Sequence, residues 1–244
     1  MPKAPAAEQL KLLGLASLDA RLHSLDVRRK DLEADPRVPA AQRAFQEASE
    51  AAARADDAVA AAERELSAAE EQVSLVGAKI ARDEERLYAG GLSKDLEALQ
   101  KDIASLTARR SDLEDVELEV LERLDGLREE QSRAAASLAQ AESAHAAVRS
   151  EIDTALAGIA SEHETAAAER SQYAAGVDSA LVEVYERTLA KRGVGAARLF
   201  HGMSEGSGMD LSPGDLATIR SAAEDEIVFC PDSGCILVRS PEWS

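Results

Sequence analysis

Five residues near the C-terminus offer the clearest chemistry in this chain: Cys230, Cys235 and His201, with Ser204 and Ser207 close by. Two thiols and an imidazole are adequate donors for zinc, which takes thiolate and imidazole ligands in a tetrahedron. Their Cys-x4-Cys spacing is not that of the usual zinc-knuckle turn. A Cys230–Cys235 disulfide is geometrically possible in a turn, but a reducing cytoplasm disfavours it. Ser204 and Ser207 lack the strand–turn–helix elbow of an activated serine, and no base can be assigned to them. The glycines from Gly202 to Gly208 come without a Walker lysine or a following nucleotide fold. Farther upstream, His145 has Glu142, His163 and Glu164 near it in sequence only. A catalytic or metal role for it would need partners that converge. No catalytic constellation emerges, so the expectation is a protein that is not an enzyme.

The elements that must carry these residues are helices. No proline occurs between Ala40 and Ser212, and a seven-residue apolar repeat runs through that stretch, broken at Gly90-Gly91. Before the glycines it includes Phe45, Ala52, Val59, Ala62, Leu66, Val73 and Ile80, interrupted by Asp83. After them it resumes through Leu96, Ile103, Leu113, Val120, Leu124, Leu127, Val148, Ile152 and Ile159. Alternating spacings of three and four place such side chains on one narrow stripe, which a coiled coil buries against a partner helix. Helices are therefore expected over about 6–34, 39–88 and 93–191, the last with a weak point at Gly176. Pro36 and Pro39 end the first helix, and a tip at 89–92 turns the chain. Ser93 is a candidate N-cap for the third helix. The simplest arrangement folds the third helix back along the second and then the first. Helix two offers mainly Ala and helix three mainly Leu, Ile and Val, so small faces large. Arg110, Glu117, Gln131 and His145 fall on the seam of helix three and are read as residues that set register.

Composition supports this reading. Of 244 residues only 3% are aromatic, too few for a large globular core. A net charge of −18 argues against a general nucleic-acid binder, because phosphate recognition needs clustered cations. The short basic runs Arg28-Arg29-Lys30, Arg109-Arg110 and Lys191-Arg192 sit among acids on helices, as solvated faces do. No run is apolar enough to cross a bilayer, and Met1-Pro2-Lys3 does not open a signal peptide. Two late cysteines are not a secreted disulfide framework. The expected location is the cytoplasm, away from membranes.

From Gly193 the composition changes. Phe200, Phe229 and Trp243 are three of the chain's seven aromatics, and the runs Ile227-Val228-Phe229 and Ile236-Leu237-Val238-Arg239 read as strands. Between them Ser212-Pro213 opens a short helix, with Ser212 as N-cap and Pro213 at the first position. The pattern is loop, short helix, strand, turn, strand. A module of about 50 residues normally needs a staple.

The tip sequence Leu87-Tyr88-Ala89-Gly90-Gly91, the run from Lys94 to Gln100, and the tail sequences Met209-Asp210-Leu211-Ser212 and Ile236-Leu237-Val238-Arg239 carry a resemblance. The whole chain resembles the bacterial coiled-coil hairpin proteins with a C-terminal C4-type zinc ribbon, particularly their actinobacterial branch. The resemblance implies a mainly α fold: a long antiparallel coiled-coil hairpin over 1–192 and a small zinc-ribbon-like α+β module over 193–244. It also implies a zinc site of two Cys-x-x-Cys pairs. Here those four positions fall on Ser204, Ser207, Cys230 and Ser233, so the site is degenerate, with one thiol of four. The expectation is a chain without zinc or other cofactor, with Cys230, Cys235 and His201 as fallback ligands. Without zinc the module must rely on Phe200, Phe229, Trp243 and nearby aliphatics, or on docking against the coiled coil.

For function, the architecture points to a non-enzymatic adaptor, scaffold or regulator that binds other proteins. The alternative is a nucleic-acid-binding regulator acting through the ribbon. Against it, the module carries three arginines and eight acids, a net charge of −5. The tip residues Tyr88, Gly90, Gly91, Leu92, Lys94 and Leu96 are the partner-binding candidates. Exposed faces rich in Ala and Leu could also pair two copies as a homodimer.

Overall fold

A computed structural model describes residues 3–241 and Trp243. In chain order it contains α1 (Ala6–Glu33), α2 (Arg37–Tyr88), α3 (Ser93–Ala175), α4 (Ser179–Arg192), β1 (Ala196–Phe200), β2 (Met203–Ser204), β3 (Met209–Asp210), α5 (Pro213–Ser221), β4 (Val228–Phe229) and β5 (Ile236–Arg239). Two compact units form, one of residues 36–150 and one joining the chain up to Asp35 with the chain from Glu151 onward. No described helix is long and apolar enough to cross a membrane.

The 36–150 unit is an antiparallel pair. Going down α2, Glu65 meets Arg123, Glu63 meets Arg128 at 2.9 Å and Asp56 meets Gln131 at 2.7 Å. Phe45 then stacks on His145 with ring centroids 5.7 Å apart. Inside, Val59 and Ala62 pack on the fully buried Leu124, with Leu66 and Leu127 alongside. Small side chains on one helix let the large ones of the other approach its axis. Gln131 and His145 thus touch the opposite helix, as register-setting residues should. Arg110 does not: it is exposed and donates to Glu114 of its own helix at 2.8 Å, its long stem free to swing outward. α2 begins two residues before the expected position. Pro36 caps it and Pro39 lies in its first turn, where a missing N–H leaves no intrahelical bond unmade.

In the other unit, α1 runs antiparallel to the end of α3. Arg21 pairs with Glu169 at 3.0 Å and Arg28 with Glu162 at 3.8 Å, over a core of Leu25, Ile159 and Ala166. The expected helix over 93–191 breaks at the weak point expected near Gly176. α3 stops at Ala175, and α4 starts after Asp178, whose carboxylate accepts from the Leu181 N–H at 3.0 Å. Lys11 of α1 donates to the Gly176 carbonyl at 3.0 Å and so stitches the break. The break re-aims the chain so that Leu181 and Tyr185 join Leu12 and Leu15 in a buried core.

Five strands follow in the order β3-β2-β1-β5-β4, with β1 and β5 parallel and the other pairs antiparallel. Side chains alternate across this sheet with period two. Ala196, Ile236 and Val238 face the core of α1 and α4, whereas Ala197, Leu199, Cys235 and Leu237 face a second core with Leu211, Ile219 and Cys230. Helix packing therefore continues across the composition change at Gly193, whose positive φ of 79° caps α4. Three of the strands, β1 to β3, lie where the sequence suggested loop. β1 has no β-branched residue, and β2 and β3 are two residues long. The aromatics are not the core either: Phe229 is 40% exposed and Phe200 half-buried, and Trp243 packs only at the margin of the second core. Ser212 and Pro213 open α5 as expected, the Ser212 hydroxyl accepting from the Asp215 N–H at 3.1 Å.

A polar network stands beside the α1–α4 core. The Tyr185 hydroxyl donates to Asp19 at 2.7 Å, and Arg170 donates to Asp19 at 2.7 Å while also reaching Glu186. Arg170 is held protonated chiefly by its hydrogen bond to Asp19. Burial first, then the Asp19 carboxylate, raises the Tyr185 phenol well above its ordinary range. Asp19→Ala should cost about 2–4 kcal/mol in urea unfolding, because it strands a half-buried guanidinium and a buried hydroxyl. Arg21→Ala, at an exposed pair, should cost at most about 1 kcal/mol. A phenol raised in the folded state stabilises fully below its unfolded value and loses that contribution as pH climbs. Urea midpoints should therefore fall above about pH 10, and Tyr185→Phe should flatten that fall.

Candidate functional site

Two tight turns build the site at one end of the sheet. In the first, at the end of β2, the Ser204 carbonyl accepts from the N–H groups of Ser207 and Gly208 at 3.2 and 2.8 Å. Gly208 closes it at a positive φ of 69°. In the second, after β4, the Cys230 carbonyl accepts from the Gly234 N–H at 2.9 Å, and Cys230 N–H donates to the Cys235 carbonyl at 2.8 Å. Gly234 is again left-handed, with φ 71°. Each turn folds a Ser/Cys-x-x-Ser segment around its own carbonyl.

The turns present their side chains to one another. Burial pushes the Cys230 thiol up, but the Ser204 and Ser233 hydroxyls and the Ser233 and Asp232 amides outweigh it and bring the thiol below its ordinary value. The Ser233 hydroxyl donates to the Cys235 sulfur at 3.1 Å, and burial raises that second thiol. Both cysteines are free and buried. The Ser204 and Ser207 oxygens are also buried, and neither completes a hydrogen bond of good geometry. Gly206 closes the cluster: a Cβ there would stand 2.7 Å from the Cys235 sulfur and 2.8 Å from Ala197 Cβ.

His201 does not join them. It stands at a positive φ of 46° with its ring against Phe200, centroids 4.2 Å apart. The fallback set of Cys230, Cys235 and His201 is thus not assembled, and among the described residues no group of three or more His, Cys, Asp or Glu converges. The upstream histidines are separate as well. His145 stacks on Phe45, and His163 lies 3.8 Å from Asp26.

At the tip, the turn is made by backbone. Gly90 takes φ 79°, and the Leu92 carbonyl, rather than a Ser93 side chain, accepts the first bonds of α3 from Asp95 and Leu96. Ser93 is already helical. Leu96 is half-buried near Gly91, Lys94 is exposed, and Tyr88 and Leu92 are 89% and 76% exposed.

Comparison with known proteins now bears on both ends of the chain. A CT398-like coiled coil hairpin domain matches residues 15–193, and a C4-type zinc ribbon domain matches residues 203–237. The chain belongs to the CT398-like coiled-coil hairpin family. Two uncharacterized proteins of Mycobacterium tuberculosis, MT2288 and Rv2229c, are each 34% identical over 159 residues, which is 65% of this chain and 65% of theirs. A solved Mycobacterium smegmatis structure is similar with a TM-score of 0.68 at 28% identity, covering 97% of this chain and 100% of that one. CT398 of Chlamydia trachomatis shares the fold, with a TM-score of 0.65 at 18% identity over 96% of this chain and 98% of its own.

Set against that family's ribbon, the donor set here does not fit a structural zinc ion. Serine hydroxyls do not ionise near neutral pH, and one thiol at the four ligand positions cannot supply a tetrahedral thiolate site. Cys235, expected as a fallback zinc ligand, instead packs between the two turns against Gly206, a position the sequence did not single out. Alternation along β5 carries the signal, because residue 235 must share a face with Leu237 rather than with Ile236. Gly206→Ala should lower the unfolding midpoint of this module, by about 1–3 kcal/mol in stability, as overpacking against a buried sulfur does; Trp243 fluorescence reads it.

Proposed function

We propose that this chain is a non-enzymatic adaptor whose hairpin tip binds another protein. The carrying observation is the exposure of Tyr88 and Leu92, the most exposed large apolar side chains among the described residues. Neither side chain is needed to form the turn, which Gly90 and backbone carbonyls close. Exposed apolar groups at a polar helix end fit an anchor that enters a partner's pocket, with Lys94 and Asp95 beside them at the rim. The net charge of −18 and the acidic ribbon oppose phosphate recognition, so protein is the favoured partner class. Two free thiols without a disulfide framework suit the cytoplasm, where we place the protein.

The test is in-cell crosslinking with the intact chain, wild type against Leu92→Asp and Tyr88→Ala. We expect at least one reproducible partner to be lost in both variants while helicity by circular dichroism stays unchanged. Identical partner sets would overturn the role of the tip. Light scattering distinguishes a second copy of this chain as the occupant. Salt-dependent oligonucleotide binding at physiological ionic strength would favour the nucleic-acid reading instead.

A further inference from the structure

We propose that the Cys235 side chain takes the metal's place in this ribbon, joining its two knuckles so that the module folds without zinc. In a C4 ribbon the ion is the contact between the two turns, with four sulfurs about 2.3 Å from it. Serine at 204, 207 and 233 removes three of those sulfurs and shortens three side chains. Loss of ion and sulfurs together would leave a buried void between the turns, which is destabilising.

This chain fills that space. Cys235 lies outside the four ligand positions, yet it is fully buried on the β5 face that looks toward both turns. Its sulfur accepts from the Ser233 hydroxyl of the second turn at 3.1 Å. The same sulfur packs on Gly206 of the first turn, so closely that a Cβ would come within 2.7 Å. One side chain therefore touches both knuckles, as the ion would. The contact is packing and a weak hydrogen bond, with no covalent step and no change of oxidation state. Absence of a side chain at 206 and presence of sulfur at 235 are two halves of one adaptation. The buried hydroxyls of Ser204 and Ser207, neither completing a hydrogen bond of good geometry, are its residue, polar groups left at positions built for thiolates.

The experiment uses the full chain. After dialysis against EDTA, the wild type should hold no stoichiometric zinc by elemental analysis, and its Trp243 fluorescence and unfolding midpoint should not move. Ser204→Cys, Ser207→Cys and Ser233→Cys combined with Cys235→Ala should bind one zinc ion per chain. The same three substitutions with Cys235 retained should bind it at least about tenfold more weakly, because the sulfur must first be displaced. Cys235→Ala alone should lower the unfolding midpoint of the ribbon without gaining zinc. One zinc per chain surviving EDTA in the wild type, or loss of its ribbon signal on chelation, would overturn the proposal. Equal zinc affinity with and without Cys235, or an unchanged midpoint for Cys235→Ala, would do the same; the last needs no multiple variant to fold.

Discussion

A five-stranded sheet this small cannot hold itself together by one face, so both faces must be buried. That constraint organises the C-terminal half of the molecule. Ile236 and Val238 go to the core of α1 and α4, while Cys235 and Leu237 go to the core of α5 and the two turns. To offer the first of those cores, α3 has to stop at Ala175 and the chain has to restart as α4, bringing Leu181 and Tyr185 under the sheet. Tyr185 lies so close to Gly195 that a Cβ there would stand 2.4 Å from its ring. The N-terminal segment completes the cover: Ala4 N–H donates to the Asp225 carbonyl at 2.8 Å, and buried Gln9 donates to the Ala4 carbonyl at 2.8 Å and to that of Glu224 at 3.2 Å. Arg239 then gathers the carbonyls of Ala222, Ala223, Glu224 and Glu226.

The helical hairpin works by a different economy. Its seam is a long series of modest contacts, Ala and Val against Leu, with charged pairs such as Glu63–Arg128 along the flanks. Exposed ion pairs of this kind contribute little to stability. Their value lies in register, together with Asp56–Gln131 and the Phe45–His145 stack, which tie named positions on α2 to named positions on α3. The network of Asp19, Arg170 and Tyr185 differs because it is partly dry. Asp19 is its centre: removing it takes the partner from the Tyr185 hydroxyl and leaves Arg170 with Glu186 alone.

Membership of the coiled-coil hairpin family and departure from its ribbon chemistry belong to the same picture. The fold of the ribbon is retained, with two turns closed on the Ser204 and Cys230 carbonyls. What has changed is the contact between them. The Ser204 and Ser207 oxygens and both thiols are buried between the two turns, and Ser233 donates to the Cys235 sulfur.

The linear order of residues marked the helices and the turn near Gly90, because a three-four apolar spacing needs a partner helix and the two glycines let the chain fold back to supply it. Ser212-Pro213 likewise announced α5, since capping is a local event. Tertiary structure alone decided the rest. The weak point at Gly176 was legible, but that α3 stops at Ala175 and restarts as α4 depends on Lys11 and on a core supplied by distant strands. That β1 is a strand depends on its parallel pairing with β5, forty residues later, and not on the propensities of Ala196-Ala197-Arg198. The destination of the Cys235 sulfur was legible only as a shared face with Leu237. It depends on the face β5 turns toward the two knuckles, and on a glycine at 206 that leaves room for it.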